Sequence, residues 1–455
     1  MSFDGAPFAA PARDPNVDPR DVPHPHPLGM RVWPVALTAV LMLGLLPLGL
    51  KSIPGAIFAM GVTLFLTALF AFGIEKVGSG LVIAGMFFAP MTALTMPGGA
   101  SFITASDLLM VVGFGLLFPV LVTQPLHVPW TFALGAAAFF VVGCVSSLAS
   151  VFAFGSLNIL LRVLAATVIL PLLFVWWAPR GRRLVSLAGA YVLGVVLSLA
   201  YGLLNGPLPE NNRYTGLSEQ PTAFGYSGLL AVCFLPFLYQ VVRPSRRWLV
   251  LGSGVLCLAV IWFSGSRGPL VVVAFLALMY PALERSLKVA GALAFGGIFV
   301  VANLDRILND KGGSNALSRL LGGSGSRYSN NERKEGLANA LEVFRHHPLI
   351  GGGWDFDVIL AHNIYAQVVA AMGVLGLTAF LFIIWSFVAP LFTTPRPYRL
   401  LCYPALAYVV AGPITPNVGS RYVGVTLAMS FVVASMREAG DPAVVSDEAR
   451  ERSTA

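Results

Sequence analysis

The chain has 455 residues, is 56% hydrophobic and only 11% charged, and carries a formal net charge of +8, with a mean hydropathy of +0.78. A soluble domain carries roughly 25% charged residues, so these figures exclude a soluble globular protein and fit an integral membrane one. In that setting the positive balance reports orientation in the bilayer and gives no reason to expect a nucleic-acid partner.

The first 30 residues, "MSFDGAPFAAPARDPNVDPRDVPHPHPLGM", are rich in Pro and Asp. They have no basic stretch followed by an apolar one, as a signal peptide would, and are read as a disordered cytoplasmic tail. Residues 31–436 form the predicted membrane domain. Apolar runs near the length that crosses a bilayer fall near 32–50, 54–73, 79–96, 105–123, 129–148, 157–177, 184–204, 225–242, 247–264, 268–283, 287–303, 363–391, 399–413 and 420–436. The predicted fold class is all-α and polytopic, with fourteen spans, or twelve if two early runs are re-entrant or merged. Residues 437–455 make a second cytoplasmic tail. Cys144, Cys233, Cys257 and Cys402 all lie inside apolar runs, which predicts neither a disulfide nor a zinc site.

The connections "PRGRR" (179–183), "VRPSRR" (242–247), "ERSLK" (284–288) and "PRPYR" (395–399) are dense in basic residues. All four fall on the side of the termini, and the positive-inside rule makes that side cytoplasmic. Two loops on the opposite side are long, about 205–224 and 304–361. The second contains seven basic and seven acidic residues, the balance of a folded cap and not of a like-charged tail.

Within that loop, "YSNNERKEGLANALEVFRHHPLIGGGW" predicts a helix followed by a glycine turn. Ser329 and Glu332 have capping-box spacing. Leu337, Ala340, Leu341 and Phe344 form one face, and Arg333 shares it. A buried arginine needs an anionic partner. Either an internal carboxylate or an anionic ligand would serve. Pro348 stops the helix, and Gly351–Gly353 permit a tight turn or the close approach of a ligand. The adjacent His346 and His347 lack further ligands at metal spacing, so no metal is expected.

His362 opens the next predicted span. The positive end of the helix dipole attracts anions there and favours a neutral imidazole, which can accept a proton. On the plainer alternative, His362 and Asn363 only cap the helix and Tyr365 sits in the interfacial aromatic belt. Arg213 and Arg267 lie at other outer helix ends. With Arg333 they put three arginines on one surface, a set suited to a diphosphate; interfacial snorkelling is the plainer reading of each alone. Arg162, Asp107 and Arg421 also lie near outer helix ends.

Three segments carry a resemblance to a known family. "RYTGLSEQPTAFGY" resembles an Arg-x-x-Gly motif, although Thr222 follows Pro221 where Asn is usual. "FSGSRGPLVVV" resembles a Ser-Arg-Gly stretch between two membrane helices. "ERKEGLANALEVFRHHPLIGGGW" with "AHNIYAQVVAAMGVLGL" resembles a last large periplasmic loop and the helix that follows; Leu337 stands where Trp is frequent. In this order the segments resemble the O-antigen ligase and O-antigen polymerase superfamily of bacterial membrane glycosyltransferases, over about residues 185–390.

The resemblance implies a multi-pass protein of the bacterial inner membrane with both termini cytoplasmic. Its implied activity is metal-independent, inverting transfer of a glycan from undecaprenyl diphosphate to an acceptor hydroxyl at the periplasmic face, without a cofactor. Arg213 and Arg333 would hold the diphosphate, and His362 would act as general base. Arg267 would assist or pin the helix junction. Tyr365 and Gln367 would shape the cleft, with Arg327 as a further substrate-binding residue, and the early helices would groove the prenyl tail. The acceptor is a growing polysaccharide, slightly favoured, or lipid A-core. Whether a chain-length regulator joins as partner is open. A transporter or flippase is disfavoured, because ionisable residues cluster at outer helix ends and not at the bilayer midplane.

Overall fold

In the computed structural model the described residues are 53–95, 103–210, 212–286, 291, 316–320, 326–355, 361–415 and 418–439; side chains at 53–59, 318 and 326–330 are not described. The two predicted tails and the spans near 32–50 and 287–303 therefore lie outside the described residues, apart from 291 and the first three residues of the C-terminal tail.

Among the described residues the secondary structure is helical, with one isolated bridge between Thr95 and Thr104. In chain order the helices are α1 (Ile53–Phe72), α2 (Ile74–Phe88), α3 (Ala105–Leu121), α4 (Trp130–Ala149), α5 (Ala153–Leu164), α6 (Leu170–Trp177), α7 (Arg182–Asn205), α8 (Pro221–Val241), α9 (Arg247–Phe263) and α10 (Arg267–Glu284). There follow α11 (Ala316–Leu320), α12 (Ser326–His346), α13 (Ile364–Val388), α14 (Pro390–Thr393), α15 (Tyr403–Ala411) and α16 (Arg421–Glu438). A π-helical turn, Ala165–Ile169, joins α5 to α6. Seven described helical stretches are long and apolar enough to cross a membrane.

Packing divides the chain into Met1–Val77 and Gly78–Ala455. In the first unit, α1 ends at Gly73, whose φ of +82° is left-handed. In the second, α16 is enclosed, with every residue from Tyr422 to Met436 buried. Around it the helices turn Leu134, Leu193, Leu251 and Leu278 outward, where a water-soluble protein would place polar groups. Lipid-facing positions behave this way, and helix association then rests on packing and interhelical hydrogen bonds. The hydroxyls of Thr131 on α4 and Ser386 on α13 lie 2.8 Å apart, for example.

Helix α13 is broken at Gly373 (φ 65°, ψ −167°). The interruption frees backbone groups that a membrane protein must satisfy internally, and Pro348–Gly353 supplies the partners. Gly352 and Gly353 donate to the carbonyls of Ala370 and Ala371 at 2.9 Å, while the Val374 amide donates to Pro348 O at 2.9 Å. Ser146 of α4 also donates to Ala371 O. A Cβ at Gly351 would meet Ala371 C at 2.3 Å, and one at Gly373 would meet Leu349 C at 2.2 Å. Gly351 and Gly373 therefore serve the approach of one backbone to another, while a Cβ at Gly352 or Gly353 would meet the side chain of Val343 or Ser150.

Two smaller expectations change with this region. Helix α12 begins at Ser326, so Ser329 lies inside its first turn and is not its cap. Leu341 is exposed, while Leu337, Ala340, Phe344 and Arg333 of the expected face are buried or half-buried, joined by Gly336 and Val343. This helix packs on α13.

At the end of α10, Glu284 is buried and accepts from Arg399 Nη2 at 2.6 Å and Tyr403 Oη at 3.0 Å, and pairs with Arg396. This cluster brings the connections at 284–285 and 395–399 to one end of the bundle. At the opposite helix ends, Asp107 of α3 pairs with Arg421 of α16 at 3.0 Å.

Candidate functional site

The loop between α7 and α8 carries Arg213. Its position follows from Gly216, whose φ of +56° is left-handed and whose Cβ, if present, would lie 2.5 Å from Ser198 O on α7. The loop is thereby laid against α7, and Tyr214 N donates to Phe263 O at 3.1 Å, fixing it on the end of α9. Arg213 Nε then donates to Ser264 O at 2.7 Å and Nη2 to Ser266 Oγ at 2.9 Å. Arg213 thus clamps the Ser264–Ser266 corner between α9 and α10.

Arg267, the first residue of α10, faces the same space. Arg319 reaches it from α11 and donates to Gly265 O at 3.0 Å. Arg333 reaches it from α12; its Nε is buried and donates to no described partner. The four arginines line one small recess of about 40 Å3 together with Thr222, Tyr226, Ser266, Gly268, Pro269 and Ile414. None of the described lining residues is acidic. Burial lowers the Arg213 guanidinium to about 9, and the charges of Arg319, Arg333 and Arg267 push the same way. Burial, then Arg267 and Arg333, lowers Arg319 too. Because guanidinium stays protonated in proteins, this mutual repulsion is a cost that a bound anion relieves.

His362 stands just before α13 in the left-handed region, φ +49°, a conformation His adopts more readily than most residues. Asn363 is the N-cap, its Oδ1 accepting from Tyr365 N at 3.0 Å and Ala366 N at 3.1 Å. His362 is therefore not the cap and its ring is released from that duty. Its Nδ1 is buried without a described partner. Burial lowers the imidazole below its ordinary value, the charge of Arg333 lowers it further, and Glu332 opposes them. The neutral form expected from the helix dipole is thus favoured by burial and Arg333.

Neither His362 nor the other predicted site residues, Tyr365, Gln367 and Arg327, are among those lining the recess. Tyr365 donates its hydroxyl to Val409 O at 2.9 Å and packs against Gly412. Gln367 is buried one turn into α13. The Tyr365 bond holds α13 against α15. Arg327 lies in the first turn of α12, where side chains are not described. Arg319, Tyr226 and Thr222 were not singled out in the sequence, although Arg319 was legible as one more basic residue of the large loop. No short motif marks it; its place depends on α11 packing against α9 and α10.

A second, larger concavity lies beside α3, the π-helical turn, α6 and α16. It has a volume of about 480 Å3 and is lined mainly by apolar residues, with Asp107, Arg162 and Arg421 among the polar ones.

No protein-family model matches the chain, and no curated protein matches it.

Proposed function

We propose that the chain transfers a glycan from an undecaprenyl diphosphate carrier to an acceptor hydroxyl, with the arginine recess binding the diphosphate. The observation that carries this reading is the convergence of Arg213, Arg267, Arg319 and Arg333 on one recess whose described lining holds no carboxylate. Arginine presents a planar fork that matches phosphate oxygens. Four such groups suit a ligand with more than one negative charge, and the family resemblance names a diphosphate of that kind.

In this reading the acceptor oxygen attacks the anomeric carbon and the bond from that carbon to the phosphate oxygen breaks. The electron pair leaves with undecaprenyl diphosphate, whose developing charge the arginines stabilise. The acceptor proton passes to His362. The neutral ring favoured by its surroundings supports that role. Attack opposite the leaving group inverts the anomeric centre. The apolar concavity beside α3 offers room for a prenyl tail. Extension of a lipid-linked polysaccharide is slightly favoured over transfer to lipid A-core, and the periplasmic face of a bacterial inner membrane is the compartment this reading requires.

One observation bears on a second reading, transport. A broken membrane helix is a transporter feature, and α13 is broken at Gly373. There, however, backbone of residues 348–353 and Ser146 takes up the freed groups, and the arginines lie at helix ends. Transfer is therefore preferred. The test is a reconstituted assay with an undecaprenyl-diphosphate-linked glycan as donor. Release of undecaprenyl diphosphate together with a longer or newly linked glycan supports transfer; movement of intact donor between leaflets with no new linkage supports transport.

A further inference from the structure

At the end of the bundle remote from the arginine recess, α7 and α9 flank α8 and leave a groove of about 570 Å3 between them. That lies within the roughly 300–1,000 Å3 of a small-molecule site. Its walls are apolar: Val185, Val192 and Val196 on α7, Leu249 and Leu256 on α9. Two glycines, Gly189 and Gly252, open it from opposite sides. A Cβ added at either would meet nothing within 4 Å, whereas one at Gly194 of the same α7 would lie 2.0 Å from Phe87 O. Gly194 serves helix packing, but Gly189 and Gly252 do not. Glycine inside a helix costs about 1 kcal/mol relative to alanine, and here the void is what it leaves behind.

The two stripes end alike. On α7 the groove positions 185, 189, 192 and 196 follow helical spacing, and one turn before them, on the same face, stands the exposed Arg182. On the other wall Leu249, Gly252 and Leu256 are preceded by Arg246, which lines the mouth. The amino ends of both helices point to this mouth, adding their partial positive charge. Trp248, two-thirds exposed, stands beside it as interfacial aromatics do.

We propose that this groove is a binding site for a diacyl phospholipid with an anionic headgroup, its acyl chains between α7 and α9 and its phosphate between Arg182 and Arg246. Charge complementarity selects the occupant: an apolar slot one lipid leaflet deep, closed by two arginines and two positive helix ends, matches an anionic lipid better than a zwitterionic one. The site is independent of the proposed transfer reaction. It engages the carboxyl end of α8 through Leu238 and Val242, while the recess uses Thr222 and Tyr226 near its amino end. The 21 residues of α8 span about 30 Å.

The experiment is native mass spectrometry of the full chain, released from nanodiscs of phosphatidylglycerol or of phosphatidylcholine. The wild type is expected to retain one phosphatidylglycerol per chain at least about tenfold more often than phosphatidylcholine, since one good charge-assisted contact is worth that factor. R182Q/R246Q should abolish the preference. G189L, which fills the slot and leaves both arginines in place, should reduce retention of either lipid, while R180Q on the same end should retain wild-type preference. Equal retention of the two lipids by the wild type, or a preference unchanged in both R182Q/R246Q and G189L, overturns the proposal. Monodisperse elution of each variant separates loss of the site from loss of the fold.

Discussion

Arg333 and His362 are linked by charge, and that link makes their roles separable. A general base must be neutral, so activity is lost as pH falls through the imidazole pKa, which is held below its ordinary value of 6.5 by burial and by Arg333. Removing the Arg333 charge lets that pKa rise. In Arg333→Gln the acid limb of the pH–rate profile is therefore expected to move to higher pH, and the plateau rate to fall by a factor on the order of 100 from loss of a charge-stabilising donor. A lower plateau with an unmoved limb would separate His362 from the reaction. Arg213 makes a different case. Its fork bonds two groups of the 264–266 corner at once, a geometry lysine does not reproduce. Arg213→Lys should keep the charge and still lose about tenfold or more in rate, measured beside a thermal-stability scan that reports how far the corner loosens.

At the scale of elements, the break in α13 gives the sharpest expectation. Gly373→Ala places a Cβ in the left-handed region and 2.2 Å from Leu349 C, so a loss of about 2–4 kcal/mol is expected. Gly80→Ala on α2, where a Cβ meets nothing within 4 Å, should be neutral or gain up to about 1 kcal/mol. Melting of the two variants in detergent measures both. Glu284 at the end of α10 answers to Arg396, Arg399 and Tyr403. Glu284→Gln leaves two guanidinium groups facing an amide and should cost about 3–5 kcal/mol, lowering the melting temperature. An unchanged melting temperature would mean that water already screens the cluster.

These elements also show what the sequence could disclose. The helices from 105 to 284 and from 364 to 438 were readable within a few residues, because an apolar run with flanking arginines is a strong signal and the bilayer length limits the options. Arg213, Arg267 and Arg333 could be assigned to one surface because a threading with the basic connections on one side puts them all on the other. The break at Gly373 could not be foreseen. "MGVLG" reads as an uninterrupted helix, and only the distant "PLIGGG" segment supplies the backbone that makes the break affordable. Arg319 could be counted but not placed for a related reason, since a five-residue helix has no periodicity to read. Tyr365 and Gln367 were read as cleft residues because polar groups near a helix mouth invite that reading; in the fold Tyr365 bonds the backbone of α15 and Gln367 is buried.

For the whole molecule, the two ends of the bundle differ in kind. One end gathers four arginines from one loop and three helices into a recess, with a neutral-leaning histidine held under the influence of one of them. The other carries exposed arginines at helix starts beside an apolar slot. A protein whose arginines only marked orientation would need the second arrangement alone, since interfacial guanidinium groups reach water and headgroups freely. The first arrangement brings like charges together, and an anion of the kind proposed above would relieve their repulsion.

The most direct test of that account is the glycan profile of cells lacking the chain, complemented with wild type, His362→Ala or Arg333→Ala, with lipopolysaccharide, exopolysaccharide and the undecaprenyl-linked pool resolved side by side and the membrane level of each variant checked. The account predicts loss of long chains, accumulation of lipid-linked glycan, and rescue by wild type but by neither variant. Single repeat units left on carrier or core would identify a polymerase; long chains stranded on the carrier beside bare core would identify a ligase. A profile unchanged by the deletion, or restored in full by both variants at wild-type levels, would contradict it.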